Sequence, residues 1–220
     1  YRYHYCCFND DIQGTGSVVL AGLFTAMKNL KSSLSEQRIL FYGAGSAAIG
    51  IAEDITRAKE MAGLNSQNAK ENIYLFDSRG LVVKGRDHLT PNKEQFAHPI
   101  EGETNFLEVV HQLKPTVIIG VAGQPNVFTK AVIKAMATEN DHPIIFALSN
   151  PTTKSECTAE EAYRWSDGKA IFASGSPFDP VQFENKKFYP GQGNNAYIFP
   201  GVGLGVVVSK SSLITDEMFI

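Results

Sequence analysis

A glycine-rich turn between an apolar strand and a long helical segment constrains the fold of this chain most strongly. Its residues fit the spacing G-x-G-x-x-[GA], directly after the apolar run 38–42 and before a helical pattern over 49–61. The first glycine of this spacing permits a tight turn, the second lets backbone approach a pyrophosphate, and a small third residue lets the helix pack close to the strand. The turn predicts a dinucleotide site, with a purely structural turn as the alternative. The predicted cofactor contacts here are Gly43, Gly45, Ser46, Ala47 and Ala48.

The rest of the chain alternates apolar runs typical of buried strands with segments of helical periodicity. Predicted strands lie at 38–42, 73–76, 116–121, 143–148 and 170–173, and predicted helices at 17–30, 49–61, 106–113, 129–137 and 158–165. This alternation predicts an α/β fold, a Rossmann-type, doubly wound, mostly parallel sheet with helices on both faces. We interpret residues 1–36 as a lead-in segment and 37–220 as the dinucleotide-binding part, together one domain. The glycine-rich stretches 190–195 and 200–205 are assigned no element.

Composition narrows the classes of partner and of compartment. The 220 residues carry a formal net charge of -3 without a run of Lys or Arg, which argues against a nucleic-acid partner. The apolar runs are too short to span a bilayer, so we predict no membrane partner. Cys6, Cys7 and Cys157 form no CxxC pair and indicate reduced thiols of an intracellular protein. Because the chain does not begin with Met, we expect a piece of a longer polypeptide.

Two adjacent carboxylates, Asp10 and Asp11, precede Gly14 and the first predicted helix. A charge beside core sequence needs a partner or a metal, because burying it alone is costly. Neighbouring residues point in different directions, so one acid can bind a cation while the other holds a basic side chain. The alternative is a solvated turn that caps the helix that follows.

The end of the second predicted strand bears on the choice of cofactor. Asp77 closes that strand, where an acid commonly holds the ribose hydroxyls of NAD. Ser78, Arg79 and Lys93 follow it, and a 2′-phosphate requires such hydroxyl or cationic donors. The two interpretations compete within this one loop, and a solvated surface is the alternative for Arg79 and Lys93.

Polar or glycine-containing motifs follow two further predicted strands, and another lies in the glycine-rich tail. Ala122 and Gly123 follow the third strand, Asn150 follows the fourth, and Asn194 lies in the glycine-rich stretch 190–195. Ligands of open parallel sheets bind beyond the carboxyl ends of the strands, so these residues are candidates for cofactor or substrate contact. An asparagine amide both donates and accepts hydrogen bonds, which suits a carboxylate or a carboxamide. An Asx turn before Pro151 is an equal alternative for Asn150.

These motifs together resemble malic enzyme, a family that oxidatively decarboxylates malate to pyruvate with NAD or NADP and a divalent cation. The matching segments, in order, are 8–15, 42–45, 80–86, 113–115, 119–123, 146–152, 156–162, 172–178, 190–195 and 197–201. They cover nearly the whole chain and are far more specific than a glycine motif alone. The resemblance implies an NAD(P)-binding domain with malate as substrate, Mg²⁺ or Mn²⁺ as metal, and a homotetrameric full-length enzyme in the cytoplasm or mitochondria.

The resemblance also implies roles for single residues. Asp11 matches a metal ligand, and Asp10 matches the carboxylate that pairs with a catalytic lysine. Thr15 lies near the cofactor, and Asn150 and Asn194 match residues that contact malate and the nicotinamide end. The sequence around Ser78 and Lys93 is more similar to NADP-preferring members, so NADP is favoured over NAD. The predicted cofactor contacts outside the glycine turn are Thr15, Asp77, Ser78, Lys93, Ala122, Gly123 and Asn150.

The family's catalytic tyrosine and lysine, its malate-binding arginine and its other acidic metal ligands find no match in these residues. We therefore expect the 220-residue chain to be inactive by itself. Two alternatives remain open, a non-catalytic dinucleotide-binding module and a dehydrogenase of another hydroxy acid or amino acid. The upstream sequence of the full-length gene distinguishes the first from malic enzyme, and a substrate panel distinguishes the second.

Overall fold

The computed structural model describes residues 4–220, in which the strands form a seven-stranded sheet and a separate hairpin. The strands are β1 Ile39–Tyr42, β2 Ile73–Asp77, β3 Gly80–Leu81, β4 Val117–Gly120, β5 Ile144–Ala147, β6 Ile171–Ser174, β7 Val181–Phe183, β8 Lys186–Phe188 and β9 Gly191–Gln192. The sheet order is β3-β2-β1-β4-β5-β6-β9, and β7 pairs with β8. All neighbours in the sheet are parallel except β2 and β3. The predicted Rossmann-type, mostly parallel sheet is confirmed.

Helices cover both faces of the sheet, because alternate residues of each buried strand point to opposite sides. The helices are α1 Thr15–Leu30, α2 Ser46–Met61, α3 Ser66–Lys70, α4 Pro91–Glu94, α5 Phe106–Leu113, α6 Lys130–Glu139, α7 Ala159–Trp165 and α8 Phe199–Ser209. Ile39 and Phe41 of β1 join one buried cluster with α1 and α2, whereas Leu40 joins a second cluster with α5, α6 and α7. The lead-in helix α1 thus shares a core with the 37–220 segment. The boundary at residue 36 stays a prediction, and residues 1–3 lie outside the described part.

The order of the strands locates the ligand crevice. Strand β1 lies between β2 and β4, so the chain adds its next strands first on one side of β1 and then on the other. The following helices α2 and α5 pack on opposite faces. In such sheets the connections diverge at this switch point and leave a crevice beyond the carboxyl ends of the strands. The turn that follows β1 therefore lies at the expected ligand site.

Several regions differ from the sequence prediction, which contained no counterpart to β3, α3, α4 or the hairpin β7–β8. Helix α2 begins at Ser46, three residues before the apolar pattern, because Gly45 is its extended N-cap. The glycine-rich tail, to which no element was assigned, contains the two-residue strand β9 and the helix α8. A two-residue strand is too short to show a periodicity, and glycines lower helix propensity within α8. Among residues 4–220, no helix combines the length and apolar content needed to cross a bilayer.

Candidate functional site

The turn after β1 requires glycine at its first position and leaves open space at its second. Gly43 has φ +122°, and a Cβ there would lie 3.2 Å from the backbone nitrogen of Ala122. Gly45 has an extended backbone with φ −82°, and a Cβ there would meet no atom within 4 Å. The first position is thus fixed by packing against the loop after β4. The second leaves free approach to the N-terminus of α2, whose unpaired N–H groups and dipole attract phosphate.

A cleft of about 340 Å³ opens beside this turn. We call it the glycine-turn cleft, and its lining residues are Tyr42, Gly43, Ala44, Gly45, Phe76, Asp77, Ser78, Lys93, Val121, Ala122 and Gln124. Six predicted cofactor contacts are among them. Three predicted contacts of the turn remain. Ser46 is the first, exposed residue of α2, Ala47 lines the neighbouring cleft described below, and Ala48 is buried as the close-packing position requires.

Asp77 carries two cationic partners at the edge of the glycine-turn cleft. Its Oδ2 accepts hydrogen bonds from Arg86 Nη2 at 2.7 Å and Lys93 Nζ at 2.6 Å, and Oδ1 accepts one from the Arg79 backbone at 2.9 Å. Burial by itself would raise the pKa of this carboxyl, but these hydrogen bonds outweigh burial and lower the pKa to about 2. Asp77 is therefore a fully ionised and well-paired carboxylate at neutral pH.

The two cations of Asp77 differ in how firmly they are held. Arg86 Nη1 also donates to the carbonyl oxygens of Gly80 and Leu81, at 3.0 and 3.2 Å. Among residues 4–220, the hydrogen bond of Lys93 Nζ is to Asp77 alone. A ligand phosphate can therefore recruit Lys93 while Arg86 continues to neutralise Asp77. The sequence prediction did not include Arg86.

A second cleft, of about 280 Å³, adjoins the first, since Val121 lines both. We call it the Asp11–Asn150 cleft, and its lining residues are Asp11, Thr15, Ala47, Val121, Gly123, Leu148, Ser149, Asn150, Gly193 and Asn195. It brings together five predicted site residues from segments that are far apart in sequence. Asn150 Oδ1 accepts a hydrogen bond from Ser176 Oγ at 2.7 Å, which leaves its amide NH₂ available to a ligand.

The paired acids occupy a π-helical turn, Asp10–Gly14, that leads directly into α1. Asp11 is exposed at the cleft, where its Oδ1 accepts a long hydrogen bond of 3.4 Å from Asn195 Nδ2. Oδ1 of Asp10 is buried and has no hydrogen-bond partner among residues 4–220. Burial, and secondarily the charge of Asp11, raises the pKa of Asp10. The two acids thus differ in their surroundings, one exposed at the cleft and the other with a buried oxygen that lacks a donor among residues 4–220, and their roles stay predictions.

The described residues contain no complete metal site. Among residues 4–220, no group of three or more His, Cys, Asp and Glu side chains is close enough to hold a metal ion. Asp11 offers one exposed carboxylate, a ligand type that suits Mg²⁺ and Mn²⁺. The donor chemistry fits a divalent cation, with one ligand from this chain.

The glycine-rich stretch contributes Asn195 rather than Asn194 to the lining of the cleft. The Asn194 side chain caps the following turn, with its Oδ1 accepting from the Ala196 backbone at 2.9 Å. The role of Asn194 toward substrate stays a prediction. Ser149 and Asn195 were missed, although both neighbour predicted residues in the motifs Ser149–Pro151 and 190–195.

Comparison with known proteins places these features in one family. Residues 12–220 match the family model described as the NAD binding domain of malic enzyme. The NADP-dependent malic enzymes of Homo sapiens and Mus musculus are 55% and 53% identical over 221 residues, covering 100% of this chain and 39% of each relative. The solved malic enzymes of Pyrococcus horikoshii and Entamoeba histolytica superpose with TM-scores of 0.75 and 0.73 at 27% and 28% identity. The match to the Pyrococcus horikoshii enzyme covers 100% of this chain and 47% of that one, and the match to the Entamoeba histolytica enzyme covers 98% and 40%.

Proposed function

This chain belongs to the family of malic enzyme NAD-binding domains, and from that premise we propose that its full-length protein is an NADP-dependent malic enzyme. Such an enzyme oxidises malate and releases carbon dioxide to give pyruvate. The chain spans about two fifths of the length of the relatives that it matches, so this activity is proposed for the longer protein. The observation that carries the proposal is the Asp11–Asn150 cleft, in which the exposed carboxylate of Asp11 and the amide NH₂ of Asn150 adjoin the glycine-turn cleft.

The glycine-turn cleft is proposed to bind the adenosine and pyrophosphate parts of the cofactor. The N-terminus of α2 faces open space at Gly45, where a pyrophosphate gains backbone N–H donors. Lys93, which shares Asp77 with the better-held Arg86, is proposed to donate to the 2′-phosphate of NADP. Because Arg86 remains on Asp77, the carboxylate that would repel this phosphate stays neutralised. These contacts support NADP as the preferred cofactor, with NAD as the weaker ligand.

The Asp11–Asn150 cleft is proposed to hold malate beside the nicotinamide ring. Asp11 would supply one ligand to Mg²⁺ or Mn²⁺, and the Asn150 amide would donate to a malate carboxylate or to the carboxamide. When bound, the divalent cation would polarise the carbonyl of the keto acid as a Lewis acid and so favour the loss of carbon dioxide from that acid. The buried Oδ1 of Asp10 is proposed to accept a hydrogen bond from a lysine in the rest of the protein.

The 220-residue chain by itself is proposed to bind the cofactor without turning over malate. Among residues 4–220, the lining of the Asp11–Asn150 cleft contains one carboxylate for the metal and no lysine or tyrosine that could protonate an enolate. Isothermal titration of the purified chain should show NADP⁺ binding more tightly than NAD⁺. Addition of malate and Mn²⁺ should produce no reduced cofactor, as measured by its fluorescence.

The outcomes of this experiment separate the candidate functions. Robust reduction of NADP⁺ by the chain with malate would contradict the proposed division of the active site. For the full-length protein, a rate with another hydroxy acid far above that with malate would favour the general dehydrogenase. Cofactor binding without turnover of any substrate by the full-length protein would favour the non-catalytic module.

The surface of α8 supports an assembly larger than this chain. Leu204 and Val207 of this helix are 66% and 73% exposed. An exposed apolar helix surface of this kind commonly marks a site of contact with another protein surface. We propose that the full-length protein covers α8 and forms a homotetramer, in the cytoplasm or in mitochondria, and one human relative is named as mitochondrial. Light scattering of the full-length protein measures this state.

A further inference from the structure

One buried carboxylate lies beneath both clefts and has no part in the function proposed above. Glu156 is 0% exposed and lies in the loop that connects β5 to α7. Its side chain occupies space that exists only because residue 120, at the end of β4, is glycine. A Cβ on Gly120 would overlap the Cγ and Cδ atoms of Glu156. Burying a carboxylate at this position is costly, so its hydrogen bonds explain why it can lie there.

The hydrogen bonds of Glu156 connect the two loops that line the clefts. Its carboxylate accepts from Ser149 Oγ and, at 3.3 Å, from the Ser149 backbone N–H. Ser149 Oγ in turn accepts from the Gly123 backbone N–H at 2.9 Å. Backbone hydrogen bonds join the outer parts of the two loops, from Leu148 to Gly120 at 2.9 Å and from Phe128 to Glu156 at 3.0 Å. Between their ligand-facing tips, the side-chain connection runs from Glu156 through Ser149 to Gly123.

These two loops carry the residues that face ligand. Ala122 lines the glycine-turn cleft, whereas Gly123 and Asn150 line the Asp11–Asn150 cleft. Ala122, Gly123 and Asn150 are exposed, so few packing contacts fix their backbone. The hydrogen bonds from Glu156 through Ser149 to Gly123 then help to set the distance between the tips of the two loops. A buried, charge-assisted network of this kind is stronger and more rigid than neutral surface contacts.

We infer that Glu156 is a positioning residue, which through Ser149 holds the loops after β4 and β5 at the spacing that the nicotinamide half of the cofactor requires. The inference rests on the proposed function, since it assigns that half of the cofactor to these loops. Glu156 is fully buried and acts through Ser149 on Gly123. The adenosine half, which lies toward Asp77 and Lys93, does not depend on this network.

The test compares two ligands on one variant. Glu156→Gln keeps the side-chain volume but retains one acceptor oxygen, and its NH₂ group faces backbone donors. For the purified chain we expect NADP⁺ to bind about tenfold more weakly, as for the loss of one charge-assisted hydrogen bond. Adenosine 2′,5′-bisphosphate, which lacks the nicotinamide half, should bind within about twofold of its normal affinity. Amide hydrogen exchange should increase in segments 121–123 and 149–150 and stay unchanged in α2.

Two further variants make the result specific. Ser149→Ala removes the hydroxyl that links Glu156 to Gly123 and should give the same selective loss, without adding to that of Glu156→Gln in the double variant. Glu161→Gln weakens the capping box of α7, where Glu161 accepts from the Thr158 backbone, and serves as the matched control. This control should lose some stability and no NADP⁺ affinity.

The outcomes distinguish this inference from the proposed function. Equal loss of both ligands, or no loss of either, in Glu156→Gln or in Ser149→Ala overturns the positioning role alone. If Glu156→Gln fails to fold, the same comparison in Ser149→Ala decides the question. Failure of the unsubstituted chain to bind NADP⁺ overturns the proposed function and this inference with it.

Discussion

The two adjoining clefts differ in how completely this chain builds them. In the glycine-turn cleft, Asp77 has its cations Arg86 and Lys93 within the same chain, 9 and 16 residues away. In the Asp11–Asn150 cleft, Asp11 has one long hydrogen bond, and an oxygen of Asp10 is buried without a partner among residues 4–220. The Asp77 carboxylate has its hydrogen-bond partners within the chain, whereas an unpaired buried oxygen such as Asp10 Oδ1 is costly and implies a partner elsewhere. The glycine-turn cleft, proposed to bind the cofactor, is therefore self-contained, whereas the Asp11–Asn150 cleft, proposed to bind malate, is expected to need groups outside residues 4–220.

The largest effect is expected at Gly43, in the turn that lines the glycine-turn cleft. Gly43→Ala should lower the free energy of unfolding by about 3 kcal/mol, because Ala is strained at this positive φ and its Cβ presses on the backbone of the loop after β4. For a chain of this size that corresponds to a fall in melting temperature of roughly 6 to 12 °C. Calorimetry measures it, and an unchanged melting temperature would contradict the packing argument.

Gly45→Ala is the matched control, since its backbone is extended and its Cβ would meet open space. Stability should fall by less than about 1 kcal/mol, the usual range for Gly to Ala at a helix N-cap. NADP⁺ affinity should nevertheless fall about tenfold or more, because the methyl group occupies the approach to the N-terminus of α2. Normal NADP⁺ binding by this variant would place the pyrophosphate elsewhere.

Lys93→Ala tests the glycine-turn cleft, which is the self-contained one of the two. It should weaken NADP⁺ binding about tenfold to fiftyfold, the worth of one charge-assisted hydrogen bond to phosphate, and should change NAD⁺ binding by less than about threefold. Titration calorimetry of the chain with both cofactors measures the ratio. Lys84→Ala, which removes an exposed lysine outside the lining of the cleft, controls for net charge. Retained NADP⁺ preference in Lys93→Ala would remove Lys93 from the account of selectivity.

The sequence predicted local features of this molecule well, because they depend on neighbouring residues. The glycine turn connects β1 and α2 as expected, and the predicted helix at 158–165 begins next to a capping box in which Thr158 Oγ1 accepts from the Glu161 backbone at 3.2 Å. These features follow from short-range geometry and steric limits. Parallel pairing of the buried strands followed from their apolar runs and the intervening helices.

Features that depend on three-dimensional placement could not be predicted from the sequence. Arg86 reaches Asp77 because β3 turns back antiparallel against β2, and a two-residue strand leaves no pattern in the sequence. The choice between Asn194 and Asn195 depends on which of two adjacent residues caps the turn. Glu156 looks like any acid before a helix until β4 is placed above it with a glycine at its end.

Acid titration tests how completely Asp77 is paired. Its folded pKa of about 2 lies below the ordinary value of 3.8, so its stabilising contribution is present above pH 3.8 and is lost as the pH falls toward 2. Asp77→Asn should therefore cost on the order of 1 kcal/mol at pH 5, after allowance for solvent screening, and almost nothing near pH 2. Urea unfolding of both proteins at each pH gives the difference. A cost that persists unchanged at the lower pH would indicate packing rather than charge.

The smallest effect is expected at Asp11, on the incomplete side. One exposed carboxylate cannot hold Mn²⁺ firmly, since such ions take several oxygen ligands, so the chain should bind Mn²⁺ only at about millimolar concentration or above. Asp11→Asn should leave NADP⁺ affinity within about twofold, because the adenosine contacts lie in the other cleft. Water-proton relaxation measures Mn²⁺ binding, and the exposed Asp141→Asn is the charge-matched control. Tight Mn²⁺ binding that Asp11→Asn abolishes would show that the malate end is complete within this chain, and the contrast between the two clefts would then disappear.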